Sequence, residues 1–159
     1  MEFVWSPWRY AYIASGGKTP ASCVFCIGED PSNDADRLIV YRGIHNFVIL
    51  NLFPYTAGHF MVAPFVHTAD FDDAQAEQTA EMMVLAQRGI RALKVLYKPE
   101  GFNLGMNLGH CAGAGIREHF HLHVVPRWIG DANFMGITGE TRVLPEELSV
   151  TYRRFLEVF

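Results

Sequence analysis

Residues 118–128 read EHFHLHVVPRW, and this stretch decides the fold. His119, His121 and His123 stand at every second position, with Phe120, Leu122 and Val124 between them. Alternate side chains of a strand share a face. An extended chain here therefore turns its imidazoles one way and its apolar residues into a core. Imidazole can be base, acid, nucleophile or metal ligand near neutral pH, and clusters of titratable groups mark functional sites. A single metal ion held by all three is awkward, because same-face neighbours stand about 7 Å apart along a strand. Some of the histidines must do other work.

Outward from this strand, the chain alternates short apolar runs with turn formers. Leu38–Tyr41 and Phe47–Leu52 read as strands joined by the hairpin-sized RGIHN. Phe60–Ala63 is a third strand, ending at Pro64. Phe102–Leu108 and Phe120–Val125 are two more, linked by the glycine-rich GHCAGAG. One long helix is expected from about Asp73 to Tyr97, since Met83, Ala86, Ile90, Leu93 and Tyr97 recur at steps of three and four. Asp72 or Asp73 would cap its start, and Pro99 and Gly101 would end it. Strands, a helix, then strands imply an α+β domain on a mainly antiparallel sheet of about five strands. Residues 1–159 are expected to form one domain. It comprises an aromatic-rich arm (1–22), a core (about 23–128) and a tail (129–159) with a short helix near Glu146–Val158.

A chain of 159 residues, 50% hydrophobic and 19% charged, can close its own core. Its formal net charge of -4 argues against a general nucleic-acid binder, while leaving room for a small phosphorylated ligand held by local arginines. Residues 1–10 carry Glu2 and Arg9 and no apolar core of a secretory signal. No apolar run reaches membrane-spanning length. Cys23, Cys26 and Cys111 are too few for a disulfide scaffold, so the expected location is the cytoplasm. Cys23 and Cys26 form a C-x-x-C pair. By itself it is a redox pair, two free thiols, or half of a zinc site that needs two more ligands.

EHFHLHVVPRW resembles the H-x-H-x-H-x-x signature of the histidine triad (HIT) family of nucleotide hydrolases and transferases. FVILNLFPYTAGHFMVAPFVH is similar to that family's paired strands, and FNLGMNLG to the strand before its glycine loop. The arm WSPWRYAYI and the trailing WIGDANFM further resemble the bacterial diadenosine polyphosphate phosphorylase branch. The resemblance implies an HIT-like fold and a nucleotidyl-histidine intermediate on the middle histidine, His121. His123 would hydrogen-bond phosphoryl oxygens or help protonate the leaving group. His59 matches a histidine beside the triad, or is a structural histidine at a strand start. Zinc-bearing members imply a structural ion held by Cys23, Cys26, His67 and His119; the alternative is free thiols and a surface His67. Homodimers are common in the family.

For the nucleotide, the resemblance places Asn51 at the ribose and Asn107 near the phosphates. Ile49 and Met61 either hold the base or are core. Gly113 belongs to a loop whose backbone N–H groups can approach an anion. Here the sequence departs from the usual glutamine and Ser/Thr before the triad: Ala114, Gly115 and Ile116 stand there. Trp128 either stacks on a second base or packs in a core or interface. Arg127 and Arg117 either bind polyphosphate or are solvated. The expected activity is phosphorolysis of dinucleoside polyphosphates. Hydrolysis of these or of nucleoside phosphoramidates, a nucleotide-binding module, and a catalytic metalloenzyme at the three histidines are the alternatives. Histidine rather than glutamine at position 123 argues against a sugar-phosphate uridylyltransferase.

Overall fold

A computed structural model describes residues 23–131 and 146–159. The arm expected over 1–22 and the part of the tail at 132–145, including the second half of WIGDANFM, lie outside the described residues. The strands are β1 (Ile39–Arg42), β2 (Asn46–Leu50), β3 (Phe60–Pro64), β4 (Gly101–Gly105) and β5 (Leu122–Arg127). Helix α1 (Ala76–Tyr97) lies between β3 and β4, and α2 (Leu148–Val158) follows β5. All five strands form one sheet in the order β1-β2-β3-β5-β4, and every neighbouring pair is antiparallel. No helix among the described residues is long and apolar enough to cross a membrane.

Strand alternation sorts the core into two layers. Val48, Leu50, Phe60, Val62, Leu122 and Val124 face α1, whose Met82, Leu85, Ala86, Ala92 and Leu93 pack on them. Each fully buried Val, Leu, Phe or Met among them contributes about 1.5–3 kcal/mol. The opposite face carries Ile39, Phe47, Ile49, Met61 and Ala63, covered by Phe25. Phe120, Leu122 and Val124 are buried in the α1 layer, as the alternating pattern of the triad strand requires.

The helix keeps Ala86, Ile90, Leu93 and Tyr97 of its expected stripe against the core but turns Met83 out. Met83 is 46% exposed, and the buried line instead runs Met82, Leu85, Ala86, Gly89, Ala92, Leu93. The reason is Gly89, which apolar counting ignores. A Cβ there would lie 2.3 Å from Cζ of Phe60, so the bare glycine admits that ring against the helix backbone. The helix also starts later. Phe71–Asp73 is a separate 3-10 turn, and Gln75 occupies the N-cap without a side-chain bond, so Asp72 and Asp73 do not cap α1. Tyr97 ends it as expected, with Lys98 left-handed at φ 47°.

Strand limits shift by one to three residues. β4 stops at Gly105, before Leu108. Regular pairing of β5 begins only at Leu122, and Phe120 instead donates its N–H to the Thr68 carbonyl at 2.9 Å. The expected C-terminal helix is present as α2. Its Tyr152 and Phe155 enter the α1-side core, and the Tyr152 hydroxyl donates to the Ile39 carbonyl at 3.0 Å.

Candidate active site

The sheet face away from α1 carries a row of facing residues: Ile49 opposite Met61, Met61 opposite His123, and His123 opposite Gly105. His121 precedes this row by one alternation and is 6% exposed. Its Nδ1–H donates to the His119 carbonyl at 2.9 Å. That bond places the proton on Nδ1 and leaves the Nε2 lone pair free. Burial pushes the His121 pKa down, against the opposing pull of the His119 carbonyl, so the ring is neutral near pH 7.

A chain of hydrogen bonds sets the other tautomers. The Tyr55 backbone N–H donates to His59 Nδ1 at 3.1 Å. His59 therefore carries its proton on Nε2, which lies 3.0 Å from His123 Nδ1 and donates to it. His123 in turn keeps its own proton on Nε2. Burial, and then the neighbouring His121, hold the His123 pKa down to about 4. The result is a neutral imidazole whose Nε2–H is a hydrogen-bond donor, with an undersupplied pKa for delivering a proton near pH 7. The rings of Tyr55, His59, His123 and His121 follow one another with centroid separations of 4.6, 5.1 and 4.7 Å.

Other expected site residues fall around this line. Asn51 accepts the Phe53 N–H at 2.9 Å, and its Nδ2 lies 3.4 Å from His59 Nδ1. Ile49 and Met61 are both buried in the cluster under Phe25. Asn107 donates to the Gly113 carbonyl at 3.5 Å and so spans the glycine loop, where Gly109 and Gly113 adopt φ of 79° and 83°. Ile116 packs against the same cluster as Ile49 and Met61, and Arg117 lies 3.5 Å from His110.

Trp128 sits elsewhere. Just past the end of β5, its Nε1 donates to the Tyr97 carbonyl at the end of α1 at 3.4 Å. Arg127 is likewise engaged, by Asp131 at 2.6 Å and Asn103 at 2.8 Å.

Cys23, Cys26, His67 and His119 converge. Their ligand atoms all lie within 4.8 Å of one another. Cys23 Sγ is 3.5 Å from His119 Nδ1, and Cys26 Sγ is 3.2 Å from His67 Nδ1. His119 Nε2 donates to the Pro64 carbonyl at 2.8 Å, which leaves Nδ1 unprotonated and aimed at the sulfurs. Such an outer hydrogen bond is the usual way a metal-binding imidazole is oriented. Two sulfurs and two ring nitrogens at this spacing suit a four-coordinate zinc ion. His119 thus has its two nitrogens engaged away from His121 and His123, against a single ion shared by all three triad histidines.

The model of the HIT domain matches residues 32–128. The chain belongs to the HIT family. Within it, the chain is 40% identical to the AP-4-A phosphorylase of Mycobacterium tuberculosis, across 96% of this chain and 82% of that protein. A zinc-bound histidine triad family protein of Mycobacterium smegmatis superposes with a TM-score of 0.67 at 34% identity, covering 86% of this chain and 92% of that one. A hypothetical histidine triad nucleotide-binding protein of Sulfolobus tokodaii gives a TM-score of 0.65 at 25% identity over 86% of this chain and 91% of that one. Two residues in contact with the candidate site's histidines were not picked out from the sequence. Tyr55 works through its backbone N–H, which no motif advertises. Phe25 stood in view between the cysteines, but only its contacts reveal a place at the site.

Proposed function

We propose that this HIT enzyme cleaves dinucleoside polyphosphates by phosphorolysis through His121. The carrying observation is the His121 imidazole, neutral and tied at Nδ1 to the His119 carbonyl, with Nε2 free beside the neutral His123. Nε2 attacks the α-phosphorus of the dinucleotide, and the bond to the leaving nucleoside polyphosphate breaks with its electron pair on the departing oxygen. His123 Nε2–H donates to a phosphoryl oxygen, and His59 holds it in that tautomer. An oxygen of inorganic phosphate then attacks the same phosphorus and frees Nε2. Diadenosine tetraphosphate would yield ATP in the first step and ADP in the second. The 40% identity to an AP-4-A phosphorylase supports this substrate and acceptor.

Asn51 and the Asn107–Gly113 loop flank this centre and are assigned to ribose and phosphate contacts, with Ile49 and Met61 as the floor toward the base. Zinc at Cys23, Cys26, His67 and His119 is assigned a structural role, because four protein ligands leave no open position for chemistry. The free cysteines suit a reducing cytoplasm. A homodimer is supported by apolar side chains left exposed on α1 and the edge strand β4: Val84 at 57%, Val95 at 68% and Leu104 at 42%. Sedimentation would test it.

The deciding assay incubates the protein with diadenosine tetraphosphate with and without phosphate. Phosphate-dependent ADP plus ATP is expected. AMP plus ATP would make the enzyme a hydrolase, and tight binding without turnover would make it a binding module.

A further inference from the structure

Phe25 lies between two of the four clustered ligands yet reaches the nucleophile. The Cys26 N–H bonds to the Cys23 carbonyl at 3.0 Å and the Ile27 N–H to the Phe25 carbonyl at 2.9 Å, which folds the segment into a tight knuckle. The Phe25 ring points inward and is 2% exposed. Its centroid is 5.4 Å from that of His119, 6.5 Å from that of Phe47 and 4.6 Å from that of His121.

His121 is therefore held in three ways. The His119 carbonyl fixes one ring nitrogen. The His123 ring meets it nearly edge-on at 69°, and Phe25 supplies a further wall. A single hydrogen bond leaves an imidazole free to tilt about that bond, and ring contacts remove this freedom. Phe25 is in turn carried by a segment whose two cysteines belong to the cluster, as does His119. Ordering of the four ligands thus reaches His121 by two routes, the His119 backbone and the Phe25 ring.

We infer that Phe25 is a positioning residue that couples metal occupancy of the Cys23–Cys26–His67–His119 cluster to the alignment of His121. This rests on the assignment of His121 as nucleophile. An ion at the cluster tightens the knuckle, the knuckle seats Phe25, and Phe25 keeps Nε2 on its line of attack. Misplacing a reacting atom by about 1 Å costs up to a hundredfold in rate, so the metal influences turnover without touching substrate.

Zinc-loaded and metal-stripped protein are compared as wild type, Phe25→Ala and Phe25→Leu, with the fold of each checked by circular dichroism. Should the stripped chain unfold, Cys26→Ser replaces it. Phe25→Ala is expected to retain its zinc while kcat with diadenosine tetraphosphate falls about tenfold to a hundredfold and KM changes less than about twofold. Phe25→Leu, which keeps apolar bulk, should recover most of the rate. Zinc removal should lower wild-type kcat by a similar factor and add little in Phe25→Ala. The second readout needs no substrate: the ring N–H resonance of His121 should shift or broaden on zinc removal and in Phe25→Ala. Unchanged kcat in zinc-bound Phe25→Ala overturns the coupling, as does an equal cost of zinc removal with and without the ring. A His121 resonance indifferent to zinc overturns it in the unmutated chain, even if phosphorolysis of this substrate fails.

Discussion

At the residue scale, the candidate site holds neutral imidazoles whose tautomers are set by backbone groups at His121 and His59 and by the His59 ring at His123. His121→Ala removes the proposed nucleophile and should reduce kcat about a thousandfold or more, with nucleotide binding retained in calorimetry. His59→Ala should leave His121 intact but free the His123 ring to take either tautomer; a loss of about tenfold to a hundredfold in kcat is expected in steady-state assays, as when an orienting partner is removed. The pH dependence has a definite sign. An unfolded histidine titrates near 6.5, whereas folded His123 titrates at about 4. Stability from neutral His123 is fully present above the unfolded value and is lost as pH falls from there through the folded value, by about 3 kcal/mol in all. Urea unfolding at stepped pH should show this slope in wild type and lose it in His123→Gln. The triad histidines were legible as residues because their spacing is a strand period. Their tautomers were not, since Tyr55, His59 and His123 meet only when β3 and β5 pair.

At the element scale, two details of α1 govern how the sheet is covered. Gly89→Ala ought to stabilise an isolated helix by about 1 kcal/mol. In this protein the added Cβ meets the Phe60 ring at 2.3 Å, so thermal unfolding should report a net loss of about 1–3 kcal/mol. Glu81, also on α1, accepts the backbone N–H groups of Ile44, His45 and Asn46 at 2.7, 2.8 and 2.8 Å and so pins the β1–β2 turn to the helix. Burial raises its pKa, but the hydrogen bonds from Ile44, Asn46 and His45 outweigh this and the net shift is downward. Its stabilisation is thus present above the ordinary carboxylate range and is lost as pH falls through the depressed folded value. Glu81→Ala should cost about 2–3 kcal/mol at neutral pH in denaturant melts. Helix and strands were legible from periodicity. The extension of the buried face to Met82, Leu85 and Gly89 was not, because a glycine contact has no hydrophobic signal.

At the scale of the whole molecule, the ligand cluster ties the segment before β1 to the end of β3 and the entry of β5. Zinc bound there at a thousandfold over its dissociation constant would add about 4 kcal/mol. Chelation should therefore lower the melting temperature by about 10 °C in calorimetry. Turnover should fall to the reduced rate of the metal-stripped chain when chelator is added, instead of stopping as it would at a catalytic ion. At the other end of the chain, α2 is docked by Glu146, which accepts Thr151 at 2.9 Å and Arg154 at 2.6 Å and also bonds the Tyr97 hydroxyl on α1.

The amino-acid sequence by itself determined the alternation of EHFHLHVVPRW, and with it one imidazole face, one core face and an antiparallel α+β domain. These are local properties, because side-chain direction follows from backbone period alone. Only tertiary structure decided which nitrogen of each histidine is free, that Trp128 leans on α1, and that Phe25 joins the knuckle to His121. Each of these depends on groups far apart in the chain meeting at hydrogen-bond or ring-contact distance, which no local pattern records.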